Sequence, residues 1–196
     1  MLYIGEREIC FDQSELGFPS ILGCHAIVYV NANGLFGFHN YGGQTPDRWP
    51  GLSGAFGQFV NHHVNGGGAG TTLYGVCFAT THRSYGGIPR TSWLAELTAF
   101  ANVVNFPGAI WGYDLAASGI PNSAYVSFFR FPILGTCLIQ ARPWVANEGT
   151  AGRNLNAANH VTTAPAAPIY NINQVANVTT AVGVTPLATY YPERLR

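Results

Sequence analysis

Two residues near the start of the chain could do nucleophilic chemistry together. Cys24 follows a glycine in Gly23-Cys24-His25-Ala26-Ile27-Val28-Tyr29-Val30, and His39 closes Leu35-Phe36-Gly37-Phe38-His39. An unassisted cysteine, with a pKa near about 8.5, is only a few per cent thiolate at neutral pH. A neighbouring imidazole takes the proton, and the resulting ion pair keeps the thiolate populated. On one continuous helix these two residues would stand about 22 Å apart. A hairpin folds them back toward each other. Its side chains alternate with period two, and the numbering parity of Cys24 and His39 puts both on one face when the loop has an even length. Asn33-Gly34 between the apolar runs is a strong two-residue turn signal, because both residues tolerate positive φ. A turn there pairs Ala32 with Leu35 and sets Cys24 opposite Gly43, leaving an offset of about 13 Å from His39. A longer loop or a bulge must close that gap.

The run GCHAIVYV-NANG-LFGFHNYGG, residues 22–43 with its leading leucine, resembles the catalytic hairpin of the cytotoxic necrotizing factor deamidases. In those a Gly-Cys opens an apolar strand and the histidine lies on the next one. Burkholderia lethal factor and the chemoreceptor deamidase CheD share the same Gly-Cys…His logic at slightly different spacing. The resemblance implies that Cys24 is the nucleophile and His39 the general base. It also implies hydrolysis of a protein glutamine side-chain amide to glutamate through a thioester, with no metal or organic cofactor. Backbone N–H groups at Gly23 and Cys24 would hold the oxyanion. With an amine in place of water the same intermediate gives transglutamination. Two of those relatives carry a threonine six residues before the cysteine as a third catalytic member. Here that position is Phe18, and Ser20 is out of step. The necrotizing-factor type orients its histidine by a backbone carbonyl, and this chain is closer to that type. The orienting group is unassigned by sequence, with Asn40, Asp47 and Asp114 as candidates. The implied partner is a protein substrate, with small GTPases, a translation factor and a chemoreceptor as the target classes of the relatives.

Other reactive side chains read as structural. His25 points to the opposite face of the strand from Cys24. Cys77 and His82, five apart on one strand-like run, fall on opposite faces unless a bulge intervenes. Cys10 and Cys137 read as core or near-core thiols, and no CxxC pair supports a zinc or redox motif. His62-His63 with His160 lacks a carboxylate at ligand spacing, so no metal site is expected. Gly66-Gly67-Gly68-Ala69-Gly70 is followed by no lysine, which excludes a P-loop.

The elements that must position Cys24 and His39 follow from the rest of the chain. Its 196 residues fit one domain, 47% hydrophobic, with 24 Gly and 12 Pro. Only 9% of residues are charged, against about 25% in an average chain. Nine basic and nine acidic residues cancel, which argues against nucleic acid binding or a polybasic membrane patch. All nine basic residues are Arg. Coding bias explains that. So does work inside a foreign eukaryotic cytosol, where a lysine-free surface offers no side-chain site for ubiquitin. The N-terminus has no apolar signal core and no stretch is long enough to span a membrane. Together with the resemblance this implies an effector secreted or injected without a cleavable signal and acting in a host cytosol, or otherwise a cytoplasmic protein.

Strands are expected at 24–30, 35–43, 71–81, 109–114, 123–131 and 133–141. Residues 44–53 read as a loop, and 54–64 as helix or strand. Thr91 reads as the N-cap of a helix over 92–104 whose buried face is Trp93, Leu94, Leu97, Phe100, Ala101 and Val104. Residues 145–196 read as a wrapping arm of short strands or a partly ordered tail. The expected fold is α+β, a mixed β-sheet or β-sandwich with flanking helices carrying the Cys–His hairpin, as one domain over 1–196. Three functions stay open: a protein glutamine deamidase of the bacterial toxin or effector type, another cysteine hydrolase (peptidase or amidase) on the same pair, or a non-catalytic β-rich binding module.

Overall fold

A computed structural model of the chain describes residues 2–41, 49–82, 84–144, 159–163 and 186–196. Its strands are β1 (Leu2–Tyr3), β2 (Glu8–Asp12), β3 (Glu15–Ile21), β4 (His25–Asn31), β5 (Leu35–Asn40), β6 (Gly70–Cys77), β7 (Ile110–Asp114), β8 (Ala124–Phe131), β9 (Thr136–Pro143), β10 (His160–Thr162), β11 (Ala188–Tyr190) and β12 (Glu193–Arg194). The helices are α1 (Trp49–His62) and α2 (Pro89–Val103). A seven-stranded sheet runs β10-β2-β5-β4-β6-β7-β12, and a five-stranded sheet runs β1-β3-β8-β9-β11. Both are mixed: β1 lies parallel to β3 and β6 parallel to β7, while the other pairs are antiparallel. The expected α+β class with mixed sheets and flanking helices is what the chain adopts.

The layers explain the apolar sequence. One face of the seven-stranded sheet packs on the five-stranded sheet, joining Ala26, Val28 and Val76 to Leu16, Phe18, Val126 and Phe128. The other face packs on the helices, joining Ile27, Phe36, Phe38 and Leu73 to Phe56, Leu97 and Phe100. β4 and β5 lie in the middle layer and are buried along their whole length, so they carry no polar/apolar alternation.

Two expectations change. Residues 49–62, split above between a loop and an undecided segment, form a helix. Pro50 sits in its first turn, where proline is tolerated. Gly57 is there for proximity, since a Cβ on it would stand 2.8 Å from Val103 Cβ on α2. The second helix starts at Pro89, before Thr91, because Pro89 fixes the helical φ at the first position. Ile88 is its N-cap without a side-chain hydrogen bond. Within 145–196 the described stretches carry the edge strands β10, β11 and β12. No helix among the described residues is long and apolar enough to cross a membrane.

Candidate functional site

The hairpin register decides whether Cys24 and His39 can meet. β4 and β5 pair His25 with Asn40, Ala26 with His39 and Val30 with Leu35. The turn is therefore Ala32-Asn33, closed by Asn31 N–H donating to the Gly34 carbonyl at 3.1 Å. The Asn31 side-chain oxygen accepts from the N–H groups of Asn33 (2.8 Å) and Gly34 (3.1 Å), an Asx turn that fixes this loop. The expected Asn33-Gly34 turn is thus corrected by one residue at the loop and by two in the pairing. Gly34 has a different reason for being glycine: a Cβ on it would lie 2.6 Å from the Asp12 carbonyl of β2. The corrected register moves Cys24 toward His39. Cys24 is two residues from Ala26, which faces His39, so the pair are diagonal neighbours on one sheet face. Such positions stand about 7–8 Å apart across a sheet. No longer loop is needed.

Both side chains face the five-stranded sheet and both are buried, Cys24 at 3% exposure and His39 at 0%. His39 Nδ1 lies 2.8 Å from the Ile4 carbonyl oxygen. A carbonyl only accepts, so Nδ1 carries the proton, and the neutral ring keeps its basic lone pair on Nε2. Phe18 meets the His39 ring edge-on, with centroids 6.1 Å apart. Phe18, six residues before Cys24, thus packs against the histidine. Ser20 lies in a bulge of β3 with φ of 58°.

The segment Ile4–Arg7 between β1 and β2 contacts both Cys24 and His39. Besides the Ile4 carbonyl, it brings Glu6 Oε1 to 3.3 Å from Cys24 Sγ, with the thiol as donor, and Glu6 is only 5% exposed. Arg7 N–H donates to the His39 carbonyl at 2.8 Å. Arg7 has φ of 66°, a left-handed conformation unusual for a non-glycine residue, which turns the chain back into β2. Its guanidinium lies 4.8 Å from the Tyr41 ring centroid, and Thr163 donates to its carbonyl through both N–H (2.8 Å) and hydroxyl (2.9 Å). Glu8 accepts from Gly5 N–H at 2.6 Å and faces His160 at 3.3 Å. Gly37, two residues before His39 on the same face, makes room for this segment: a Cβ there would be 2.6 Å from Ile4 Cδ1. Sequence reasoning missed Glu6 and the Ile4 carbonyl. A backbone oxygen has no sequence signature. Glu6 had one, a carboxylate beside an apolar strand in a chain with few charges.

The predicted backbone donors, Gly23 and Cys24, lie just before β4. Gly23 is half-buried and Leu22 is 55% exposed, so the Cys24 end of the hairpin opens to the surface there. Of the candidate orienting groups, Asn40 faces the other way, its Nδ2 donating to Glu96 on α2. Asp114 is occupied by the N–H groups of Ala79 (2.8 Å), Thr80 (3.1 Å) and Ala116 (3.0 Å) at the end of β7. Asp47 lies outside the described residues. The carbonyl of Ile4 fills the orienting position instead.

On the helix side of the same rung sits a second polar group. His25 Nδ1 is 3.3 Å from Glu96 Oε2, and His25 Nε2 accepts from Trp93 Nε1 at 3.1 Å. Tyr85 hydroxyl donates to Glu96 Oε2 at 2.6 Å. Burial opposes ionisation of Glu96, but His25, Tyr85 and His82 outweigh it and hold the carboxyl below its usual range. Burial pushes the Tyr85 hydroxyl and the Cys77 thiol well above theirs. The rival pair Cys77 and His82 is separated by Tyr85, whose hydroxyl is 3.9 Å from Cys77 Sγ while its ring stacks on His82 at 4.2 Å. Burial pushes Cys137 up to about 12. Among the described residues no disulfide forms, and no three His, Cys, Asp or Glu side chains gather as metal ligands would.

With this geometry in hand, comparison of the chain with protein-family models, with curated proteins and with solved structures finds no match.

Proposed function

We propose that this protein is a cysteine-dependent hydrolase of glutamine side-chain amides in a target protein, of the toxin or effector kind that acts in a host cytosol. The observation that supports this most is the fixed tautomer of His39, Nδ1–H to the Ile4 carbonyl, with Cys24 diagonal to it on the same face. It leaves Nε2 as the base, as the resemblance of the hairpin to the necrotizing-factor deamidases requires.

In the proposed reaction His39 Nε2 takes the Cys24 proton, and the sulfur bonds to the carboxamide carbon. Backbone N–H groups at Gly23 and Cys24 hold the oxyanion, where one lost donor costs ~10²–10³ in rate. His39 then returns the proton to the amide nitrogen, the C–N bond breaks, and ammonia leaves a thioester. Water, deprotonated by His39, cleaves the thioester to glutamate and restores the thiol. Small GTPases, a translation factor and a chemoreceptor are the target classes that the resemblance implies.

The test is alkylation of the native protein with limiting iodoacetamide from pH 5 to 9, mapped by peptide mass, for wild type and His39→Ala. Preferential reaction of Cys24 below pH 8 that disappears without His39 supports the dyad. Glutamine-to-glutamate shifts of about one dalton in host lysate proteins, absent with Cys24→Ser, then support deamidation, whereas chain cleavage makes it a peptidase.

One observation favours the binding-module reading: the thiol donates to a buried carboxylate, and an ionised Glu6 opposes a thiolate beside it. That reading expects Cys24 to stay unreactive until the protein unfolds, with or without His39.

A further inference from the structure

We infer that Glu96 is a positioning residue for the Cys24–His39 pair, acting through the rung His25–Asn40 on the opposite face of the sheet. The inference rests on the reading that Cys24 and His39 work together. Cys24 is bonded to His25, and His39 to Asn40. His25 and Asn40 are themselves the cross-strand pair at the end of β4 and β5. Whatever fixes that rung fixes the spacing of the two reactive residues, because alternation sends the four side chains to two faces from one piece of backbone.

Glu96 ties the rung together from α2. Its Oε1 accepts from Asn40 Nδ2, and its Oε2 accepts from Tyr85 hydroxyl and from His25 Nδ1. The Trp93 indole is a donor only, so His25 Nε2 is its acceptor and Nδ1 carries the proton toward Glu96. Gly75 on β6 leaves the space for the His25 ring, since a Cβ there would stand 2.4 Å from Nε2. A carboxylate buried between helix and sheet is electrostatically costly. Phe38, Leu97 and Phe100 pack together in the same layer without needing any polar group. What the carboxylate adds is direction: it grips one residue from each strand of the hairpin.

The polarity of the clamp can be reversed. Asn40→Asp sets two carboxylates against each other. Asn40→Asp with Glu96→Gln places an amide donor against the carboxylate introduced on β5 and keeps an oxygen for Tyr85 and His25. The readouts are the rate of Cys24 alkylation by iodoacetamide at pH 7 and the Nδ1–H signal of His39 in ¹⁵N spectra. Asn40→Asp is expected to slow Cys24 by about 10–100-fold, as misplacement of about 1 Å does, and to lose the His39 signal. The double variant is expected to regain both, with a rate within about threefold of wild type.

Equal rates in the single and double variants, whether fast or slow, overturn the inference. If His39→Ala alone leaves the Cys24 rate unchanged, the dyad reading fails instead, and the clamp has nothing to position. Should Asn40→Asp not fold, Tyr85→Phe removes one donor from Glu96 without opposing charges. Slowing of Cys24 by threefold or more in the folded variant then supports the clamp, and an unchanged rate overturns it.

Discussion

Replacing Gly37 by alanine tests how tightly the N-terminal segment is seated over His39. The added Cβ would lie 2.6 Å from Ile4 Cδ1, 2.7 Å from Leu16 Cδ1 and 3.0 Å from Phe18 Cζ. Carbon atoms prefer separations of about 3.5–4.0 Å, so the tips of Ile4 and Leu16 must each withdraw by about 1 Å. Overpacking of that kind costs about 1–3 kcal/mol. At about 2–4 °C per kcal/mol for a chain of this length, the melting temperature falls by about 2–12 °C. Ile4→Ala alone costs about 2–5 kcal/mol through the cavity it leaves. In the double variant the new methyl enters the space that Cδ1 vacates, so the two losses overlap by about 1–2 kcal/mol instead of adding. The assay is thermal unfolding of wild type, both singles and the double, with Cys24 alkylation measured on each. The Ile4 carbonyl moves with its residue, so alkylation slows in Gly37→Ala and partly recovers in the double. Losses that add within about 0.5 kcal/mol, or a Gly37→Ala protein as stable as wild type, refute the argument, because Ile4 then does not press on Gly37.

Glu6→Gln keeps an oxygen to accept the Cys24 S–H but removes the negative charge, so alkylation of Cys24 near neutral pH is expected to speed up several-fold. A slower reaction would make Glu6 a base that helps the thiol ionise. Glu96 has a folded carboxyl held below its value of 4.5 in the unfolded chain, so its ionisation stabilises the fold above that pH, and this contribution is lost as pH falls through the lower folded value. Melting curves from pH 3 to 7 should therefore show a steeper acid loss for wild type than for Glu96→Gln, and parallel curves would contradict the shift. Burial holds the thiols of Cys77 and Cys137 well above their ordinary range. In the folded protein neither is expected to alkylate below pH 9; labelling of Cys77 at neutral pH would place it nearer the surface than the structure does, and labelling of the half-buried Cys137 would contradict its raised pKa.

The sequence showed the hairpin but not its register. Continuous apolar runs at 24–30 and 35–39 marked two central strands, and parity put Cys24 and His39 on one face. The turn was misplaced because Asn33-Gly34 invites a positive-φ reading, whereas Gly34 is small so that β2 can pass beside it. That is a tertiary fact with no local trace. The first helix was obscured by Pro50, Gly51, Gly54 and Gly57, residues that weaken helix propensity yet suit a first turn and a close helix crossing. The apolar stripe of α2 was legible, but it did not include the buried Glu96. Its burial follows from donors on three other elements, Tyr85, His25 and Asn40, that periodicity cannot bring together. The orienting group for His39 is a main-chain oxygen, so only the fold could assign it.

The C-terminal strands have a consequence for how the chain is made. β10 and β12 form the two edges of the seven-stranded sheet, and β11 forms one edge of the other. Among the described residues, three of the four sheet borders are therefore formed by strands after residue 159. During synthesis β2, β7 and β9 stay open to foreign strands until that segment leaves the ribosome. Open borders of that kind template intermolecular pairing. The nascent protein is thus most prone to aggregate just before β11 and β12 emerge, and a product lacking them should accumulate in the insoluble fraction although the hairpin bearing Cys24 and His39 is intact.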